Sequence, residues 1–289
     1  ADDHTLVDEV RGATKYLVSN DEAVEVDDNT FVASLDSDGF TVGDDVVVNT
    51  NTENYVSWNW LGDGVSGGTL NQDGTIDSQV NVNTTAGFSI VKYTGNDTGG
   101  ATVGHGLSQA PNLTIVKPID LASAWKVNSD SFAMTDVMYL DDTAAAAANI
   151  GRVSAFGAST FTLASDNQGV NSSSYDYIAY CFHSVEGYSK IGSYTGNDDA
   201  DGVFIYTGFA PAFFLLKLIT IDDDWLMFDN KRTPYNVMDT ALFPYDSSAA
   251  QTNVNYGFDF VSNGIKLRTS YSTLNDSTSI LYMAFAESP

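Results

Sequence analysis

The sequence predicts an all-β protein made of tandem antiparallel β-sandwich modules of jelly-roll type, with very little helix. Apolar residues alternate with polar ones or form short β-branched and aromatic runs bounded by Gly, Asn, Asp and Pro. The same wording also returns along the chain at a long interval. Period-two alternation gives a strand one face for a core and one for a second layer or water, and closely spaced turn residues keep each strand short.

Taken in order, the runs that predict strands are Phe88 to Tyr93, Leu113 to Val116, Phe161 to Leu163, Tyr177 to Phe182, Phe204 to Tyr206, Phe213 to Ile219 and Tyr282 to Phe285. Trp58 and Trp60 share parity, so one strand face near residue 58 carries both indoles. The exception to strand is the run Thr143 to Ala148, nearly all Ala and preceded by the N-cap candidates Asp141 and Asp142. With its counterparts at residues 21–23 and 246–249 it predicts one short helical turn per module.

Self-comparison gives the organisation. Gly87-Phe88-Ser89 through Tyr93-Thr94-Gly95-Asn96-Asp97 returns as Gly187-Tyr188-Ser189 through Tyr194-Thr195-Gly196-Asn197-Asp198, an offset of 100 to 101 residues. Lys117 then answers Lys217, and Trp125 answers Trp225. The second half of the unit occurs three times: Phe40 to Trp58, Phe161 to Tyr180 and Ile265 to Phe285, each with an Asn six or seven residues before a Tyr (Asn49–Tyr55, Asn171–Tyr177, Asn275–Tyr282). The expected division is the C-terminal half of a first module (1–64), a Gly/Asn/Thr-rich linker (65–86), and full modules at 87–186 and 187–289. No Tyr-Thr-Gly-Asn half precedes the first copy, and Ala1-Asp2-Asp3-His4 reads as a processed or truncated start. A period this long belongs to a row of small domains, standing as beads or packed side by side, rather than to a solenoid.

The composition excludes several classes. The chain has 289 residues, 43% hydrophobic, which is enough for a large core. It carries 38 acidic against 12 basic residues, a net charge of −26, and most of the acids are Asp. Such a field repels phosphate backbones and anionic lipid, so no nucleic-acid and no membrane partner is expected. The single Cys181 forbids an internal disulfide, and its neighbours Tyr180 and Phe182 predict a buried thiol.

No motif for catalysis stands out. Gly64-Val65-Ser66-Gly67-Gly68 fits the letters of a nucleophile elbow, but turn residues follow it where a helix is needed. The three histidines, His4, His105 and His183, have no convergent partner nearby in sequence. With so many acids, no carboxylate pair of the glycosidase kind can be singled out. Asn197, Asp199 and Asp201 place oxygens at alternate positions before Gly202, as in the first half of a calcium loop, but the closing acid is replaced by Gly208. This segment reads first as a solvated turn and second as a weak calcium site, the one cofactor the residues suggest. Trp125 and Trp225 recur at one module position, which favours a core anchor over a sugar platform.

The phrases Asp8-Glu9-Val10-Arg11-Gly12-Ala13-Thr14-Lys15-Tyr16, Asp36-Ser37-Asp38-Gly39-Phe40-Thr41-Val42-Gly43, the Tyr-Thr-Gly-Asn turns at 93 and 194, Val103-Gly104-His105-Gly106-Leu107 and the ending Tyr282 to Pro289 resemble a repeated β-rich domain of unassigned function. That domain is found in virion proteins of marine tailed phages, often beside concanavalin-like lectin domains. The resemblance covers nearly the whole chain and supplies no catalytic motif. It implies an extracellular, non-enzymatic structural or adhesive protein of the virion, such as a tail fibre, appendage or capsid-surface protein. Its expected partners are other virion proteins and copies of itself as a homo-oligomer, with a host-surface glycan as ligand. The alternatives are a lectin-like adhesin or secreted carbohydrate-binding module, and a polysaccharide depolymerase.

Overall fold

The computed structural model describes residues 2–149, 151–164 and 169–289. The chain is all-β: the helical elements among these residues are the turns Val46–Asn49 and Ser272–Asn275 and the 3-10 turn Val254–Tyr256. No helix of the described residues is long and apolar enough to cross a membrane.

Residues 87–186 fold as two facing sheets. In the larger one, Lys126–Ser129, Leu113–Pro118, Asp176–Phe182 and Phe88–Thr94 lie side by side, each pair antiparallel. The smaller sheet has the order Val153–Phe156, Thr160–Leu163, Thr102–Gly104. Residues 187–289 repeat both orders, with Leu226–Asp229, Phe213–Leu218, Ser279–Phe285 and Ser189–Thr195 facing Phe258–Val261, Gly264–Leu267 and Phe204–Tyr206.

Strand parity shows why these runs are apolar on both faces. Along Asp176–Phe182, Tyr177, Ala179 and Cys181 enter the core between the module's own two sheets, whereas Ile178, Tyr180 and Phe182 enter a second core. Ser279–Phe285 divides likewise: Ile280, Tyr282 and Ala284 face its own sandwich, and Leu281, Met283 and Phe285 face the second core. That second core is common to all three modules, joining Val10 and Leu17 to Trp125, Met138, Trp225 and Leu242. Burial of both sheet faces requires the near-continuous apolar runs seen in the sequence.

The modules meet through one contact used repeatedly. Trp125 Nε1 donates to the carbonyls of Val18 (2.8 Å) and Asp21 (3.2 Å), and Trp225 Nε1 donates to that of Tyr139 (2.7 Å). Ser123 N donates to Glu22 O and Glu25 N to Ile119 O at the first junction, as Asp223 N does to Thr143 O and Ala146 N to Ile219 O at the second. At the third junction His4 stands where the others have Trp. His4 N is bound by Asn20 Oδ1 as Trp125 N is by Asp141 Oδ1, and the His4 ring lies within hydrogen-bond reach of the carbonyls of Phe243 and Asp246. The third module thus contacts the first, and the head-to-tail series closes on itself as a pseudo-threefold ring.

Three expectations are corrected. Residues 65–86, read as a linker, carry the strands Thr69–Asn71 and Ser78–Asn83, which extend the large sheet of the second module beyond Phe88–Thr94. Their Asn and Thr side chains resemble a linker in composition, yet Val80 enters the sandwich core and Asn81 takes a hydrogen bond from Asp63 N. The run 143–148 is not helical. Ala147–Ala148 is an edge strand, held extended because Ala145 N and Ala146 N bond to the third module at Asp222 Oδ1 and Ile219 O. Tertiary hydrogen bonds here outweigh the helix propensity of Ala, and residues 21–23 and 246–249 are not helical either. The α-helical turns occur instead at Val46–Asn49, ahead of residues 55–61, and at Ser272–Asn275, just before the last strand of the third module. Finally, residues 55–61 run extended over the common core without joining any sheet, although Val56, Trp58 and Trp60 face that core at the positions of Ile178, Tyr180 and Phe182.

Candidate binding surface

The Tyr-Thr-Gly-Asn-Asp motif builds one rigid turn in each full module, and a buried Asn holds it. Asn171 Oδ1 accepts from Asn96 N (3.0 Å) while its Nδ2 donates to Thr98 O (2.9 Å). Asn275 Oδ1 accepts from Asn197 N (3.0 Å), and its Nδ2 lies 2.8 Å from each of three acceptors, Asn197 Oδ1, Asp199 O and Thr269 O, which share its two protons. The motif's tyrosines reach the carbonyl one residue before each Asn: Tyr93 Oη donates to Val170 O (2.8 Å) and Tyr194 Oη to Leu274 O (2.6 Å). Glycine is required at 95 and 196 because a Cβ there would lie 2.2 Å from the backbone of Ser172 and of Asn275. Asp97 and Asp198 adopt the left-handed conformation that completes the turn (φ 55° and 54°). The sequence held a signal for the two asparagines in their recurrence six or seven residues before a Tyr, although their role was not legible from it.

This turn contains the residues read as a calcium loop. Asn197 Oδ1 accepts from Asn275 Nδ2 and Asp199 N, Asp199 Oδ1 accepts from Asp201 N (2.8 Å), and Asp201 Oδ1 pairs with Lys266 Nζ (2.7 Å). No group of three or more His, Cys, Asp or Glu side chains able to hold a metal occurs among the described residues. One side-chain oxygen of each of the three residues thus has a partner: Asn197 and Asp199 within the turn, and Asp201 on Lys266.

The histidines are set apart. His4 lies at a module junction. His105 Nδ1 accepts from Leu107 N, its Nε2 meets Gly157 O, and burial holds its pKa down. His183 Nδ1 faces Gln109 Nε2. Cys181 is fully buried, and burial pushes its thiol up to about 12, which leaves it unreactive. Ser66 lies in a turn with no helix after it.

The best-organised charges belong to the scaffold. Asp8 takes Arg11 N (2.9 Å) and Arg11 Nε (2.5 Å), Arg11 Nη2 donates to Leu6 O, and Tyr180 Oη donates to Asp8 Oδ2. The third module repeats this clamp as Asp229 with Arg232, whose Nη2 donates to Met227 O. In the first module the chain then turns at Gly12. In the third it projects as Thr233-Pro234-Tyr235-Asn236 and frames a recess of about 330 Å³.

The recess is lined by Asn230, Thr233, Tyr235, Asn236, Met238 and Phe260, among others. Asn236 fixes its wall by pairing both side-chain atoms with the Phe260 backbone (2.8 and 3.0 Å). Tyr235 is 83% exposed beside it. A flat exposed aromatic beside the Asn230 side chain and the apolar Met238 and Phe260 offers a ligand a stacking surface.

Against this geometry stand the comparisons with known proteins. The family model described as Domain of unknown function (DUF7483) matches residues 1–289. The chain belongs to this family. No curated protein and no solved structure matches it. The family description assigns no activity, so the chemistry of the surface rests on its residues: a recess lined by Asn, Thr, Tyr and apolar side chains on a strongly acidic molecule, and turns locked by buried amides.

Proposed function

We propose that this chain is a non-enzymatic structural and adhesive part of a tailed-phage virion, a tail fibre, appendage or capsid-surface protein, acting with other virion proteins and as a homo-oligomer. The observation that carries the reading is the closed ring: three copies of one contact, at Trp125, Trp225 and His4, hold the modules around a single core. Such a body resists deformation and presents its loops in fixed positions, which suits a particle part that must hold its shape outside a cell. The acidic surface keeps it dispersed in salt, and the buried ion pairs support the frame. The resemblance of the repeat to virion domains supplies the location.

The test is electron microscopy of intact phage particles labelled with an antibody raised against the chain. Label at a tail or capsid position is the expected result. Particles free of label, with the antigen found only in the host cell or its medium, would refute the virion reading.

A second reading, a lectin-like binding module, is favoured by one feature, the recess beside Tyr235. A glycan array with and without calcium checks it. Saturable binding that Tyr235→Ala abolishes supports it, and binding equal in the variant excludes this recess as the site.

A further inference from the structure

The second and third modules share a topology but differ at one sheet edge. In the second, the small sheet ends at Thr102–Gly104, and residues of the 65–86 segment cover that edge. Ile76 N donates to Thr102 O (3.0 Å), Thr102 N donates to Thr75 Oγ1 (2.9 Å), and Ser78 Oγ donates to Gly104 O (2.9 Å). The third module has no such segment ahead of it, because only residues 183–188 separate Phe182 from its first strand, Ser189–Thr195. Its corresponding edge is Phe204–Tyr206. Phe204, Ile205 and Tyr206 lie across from Lys266, Ile265 and Gly264, as Thr102, Val103 and Gly104 do from Thr162, Phe161 and Thr160.

The third module's edge is open. Val203 O accepts from Leu267 N and Thr207 N donates to Asn263 O, so alternation turns the backbone N–H and C=O groups of Phe204 and Tyr206 away from the sheet. No strand of the described residues pairs with that side. Phe204 is 47% and Tyr206 65% exposed, where the covered edge has Thr102 and Gly104. The Phe204 ring lies against Gly264, where a Cβ would come within 2.8 Å of it. The module's other sheet edges are met by its own chain: Val185 bridges Ser189, Leu242 bridges Met227, and Met238 bridges Phe258. Phe204–Tyr206 carries no Lys, Pro or bulge, the usual guards against strand addition.

We propose that Phe204–Tyr206 is a self-association edge, on which a second copy of this chain docks by antiparallel pairing of the same three residues. A twofold axis through Ile205 sets Phe204 across from the partner's Tyr206 on both sides. Each of these two pairs exchanges two backbone hydrogen bonds, because the groups turned outward on one copy face those turned outward on the other. The same register puts each Phe204 ring beside the partner's Tyr206 ring on one sheet face, an aromatic cross-strand contact that stabilises antiparallel pairs. The two small sheets then continue as one. Self-complementarity selects a second copy as the occupant: the edge matches itself in backbone phase and in side chains, and an isologous contact uses each feature twice. Charge opposes the contact, since each copy carries −26 and the acidic loop 197–201 leads into the strand. Association therefore tightens as salt screens the repulsion. The inference rests on the homo-oligomer part of the reading above and names its surface, and the virion location does not enter it.

Sedimentation velocity of the full chain over a concentration series, in low and in high sodium chloride, reads the monomer–dimer equilibrium. A concentration-dependent dimer that strengthens with salt is expected, with amide hydrogen exchange over residues 203–207 slowed as it forms. Phe204→Thr, which installs the residue of the covered edge, and Tyr206→Asp should each weaken the dimer roughly hundredfold, because a twofold contact loses each ring twice. Both side chains are exposed, so these variants test the edge without unfolding the protein. Val254→Asp, at an apolar residue 85% exposed elsewhere in the module, should leave association unchanged.

A chain that stays monomeric at every concentration and salt overturns the proposal. So does a dimer that both Phe204→Thr and Tyr206→Asp leave intact, in which case association uses another surface and the homo-oligomer reading survives without this edge.

Discussion

The Trp225 indole donates its Nε1 proton to the carbonyl of Tyr139 at 2.7 Å, a bond made between two modules by a fully buried ring. Trp125 makes the same bond to Val18, and His4 takes the corresponding place at the third junction. One position in the repeat thus sets the arrangement of the whole molecule.

Trp225→Phe keeps an aromatic ring but removes the donor and leaves the Tyr139 carbonyl unpaired in the core. The expected cost is about 2–3 kcal/mol, from the lost hydrogen bond and the smaller ring. Denaturant unfolding measures it. His4→Ala should cost less, because that junction lies nearer the surface.

Arg11→Met strands the buried Asp8 carboxylate without its cation and is expected to cost about 3–5 kcal/mol. Arg232→Met removes the equivalent residue where the side chain is 15% exposed rather than 1%, so its cost should be smaller. Thermal unfolding of the two variants side by side checks the order.

Asn275→Ala removes a fully buried amide and leaves Asn197 N and the carbonyls of Asp199 and Thr269 without their partner, at an expected cost of about 2–4 kcal/mol. Asn49→Ala, at the exposed equivalent position, should change stability by less than about 0.5 kcal/mol. Since one oxygen each of Asn197, Asp199 and Asp201 is already held by a hydrogen bond or by Lys266, Tm in calcium and in chelator should agree to within about 1 °C. A calcium-dependent rise abolished by Asp199→Ala would contradict this.

Burial pushes the Asp141 carboxyl up from 3.8 to about 6. The native state therefore holds a proton that the unfolded chain releases earlier, and the stability this provides is complete below about pH 3.8 and lost as pH rises through 6. Burial lowers Lys117 and Lys217 from 10.5 to about 8, so the native state carries fewer protons between those values and stability rises with pH there. Unfolding midpoints across pH 4–10 test both limbs. Asp141→Asn should flatten the acid limb, a replacement already present at Asn20 in the first module. Lys217→Met should flatten part of the alkaline one.

Much of the fold was legible in the residues. Alternation along Tyr177 to Phe182 and Tyr282 to Phe285 marked the strands, and Trp125 and Trp225 were read as core anchors, which their burial bears out. The alanine run at 143–148 and the strand Ser78–Asn83 were misread. In both cases local composition pointed one way while hydrogen bonds to distant residues, at Ile219 and along Phe88–Thr94, decided the other. The recess beside Tyr235 left no signal, because its walls come from separate stretches of chain.

By itself the sequence determined the β character, the duplication and the acidic surface, since each is a property of residue type and spacing along the chain. Tertiary structure alone decided that the repeats close into a ring on a common core, that Asn171 and Asn275 are spent inside while Asn49 remains outside, and that Tyr55 lies open. The physical reason is that burial and pairing depend on which segments become neighbours in space: the same Asn or Tyr is satisfied or left exposed according to whether a partner strand lies beside it.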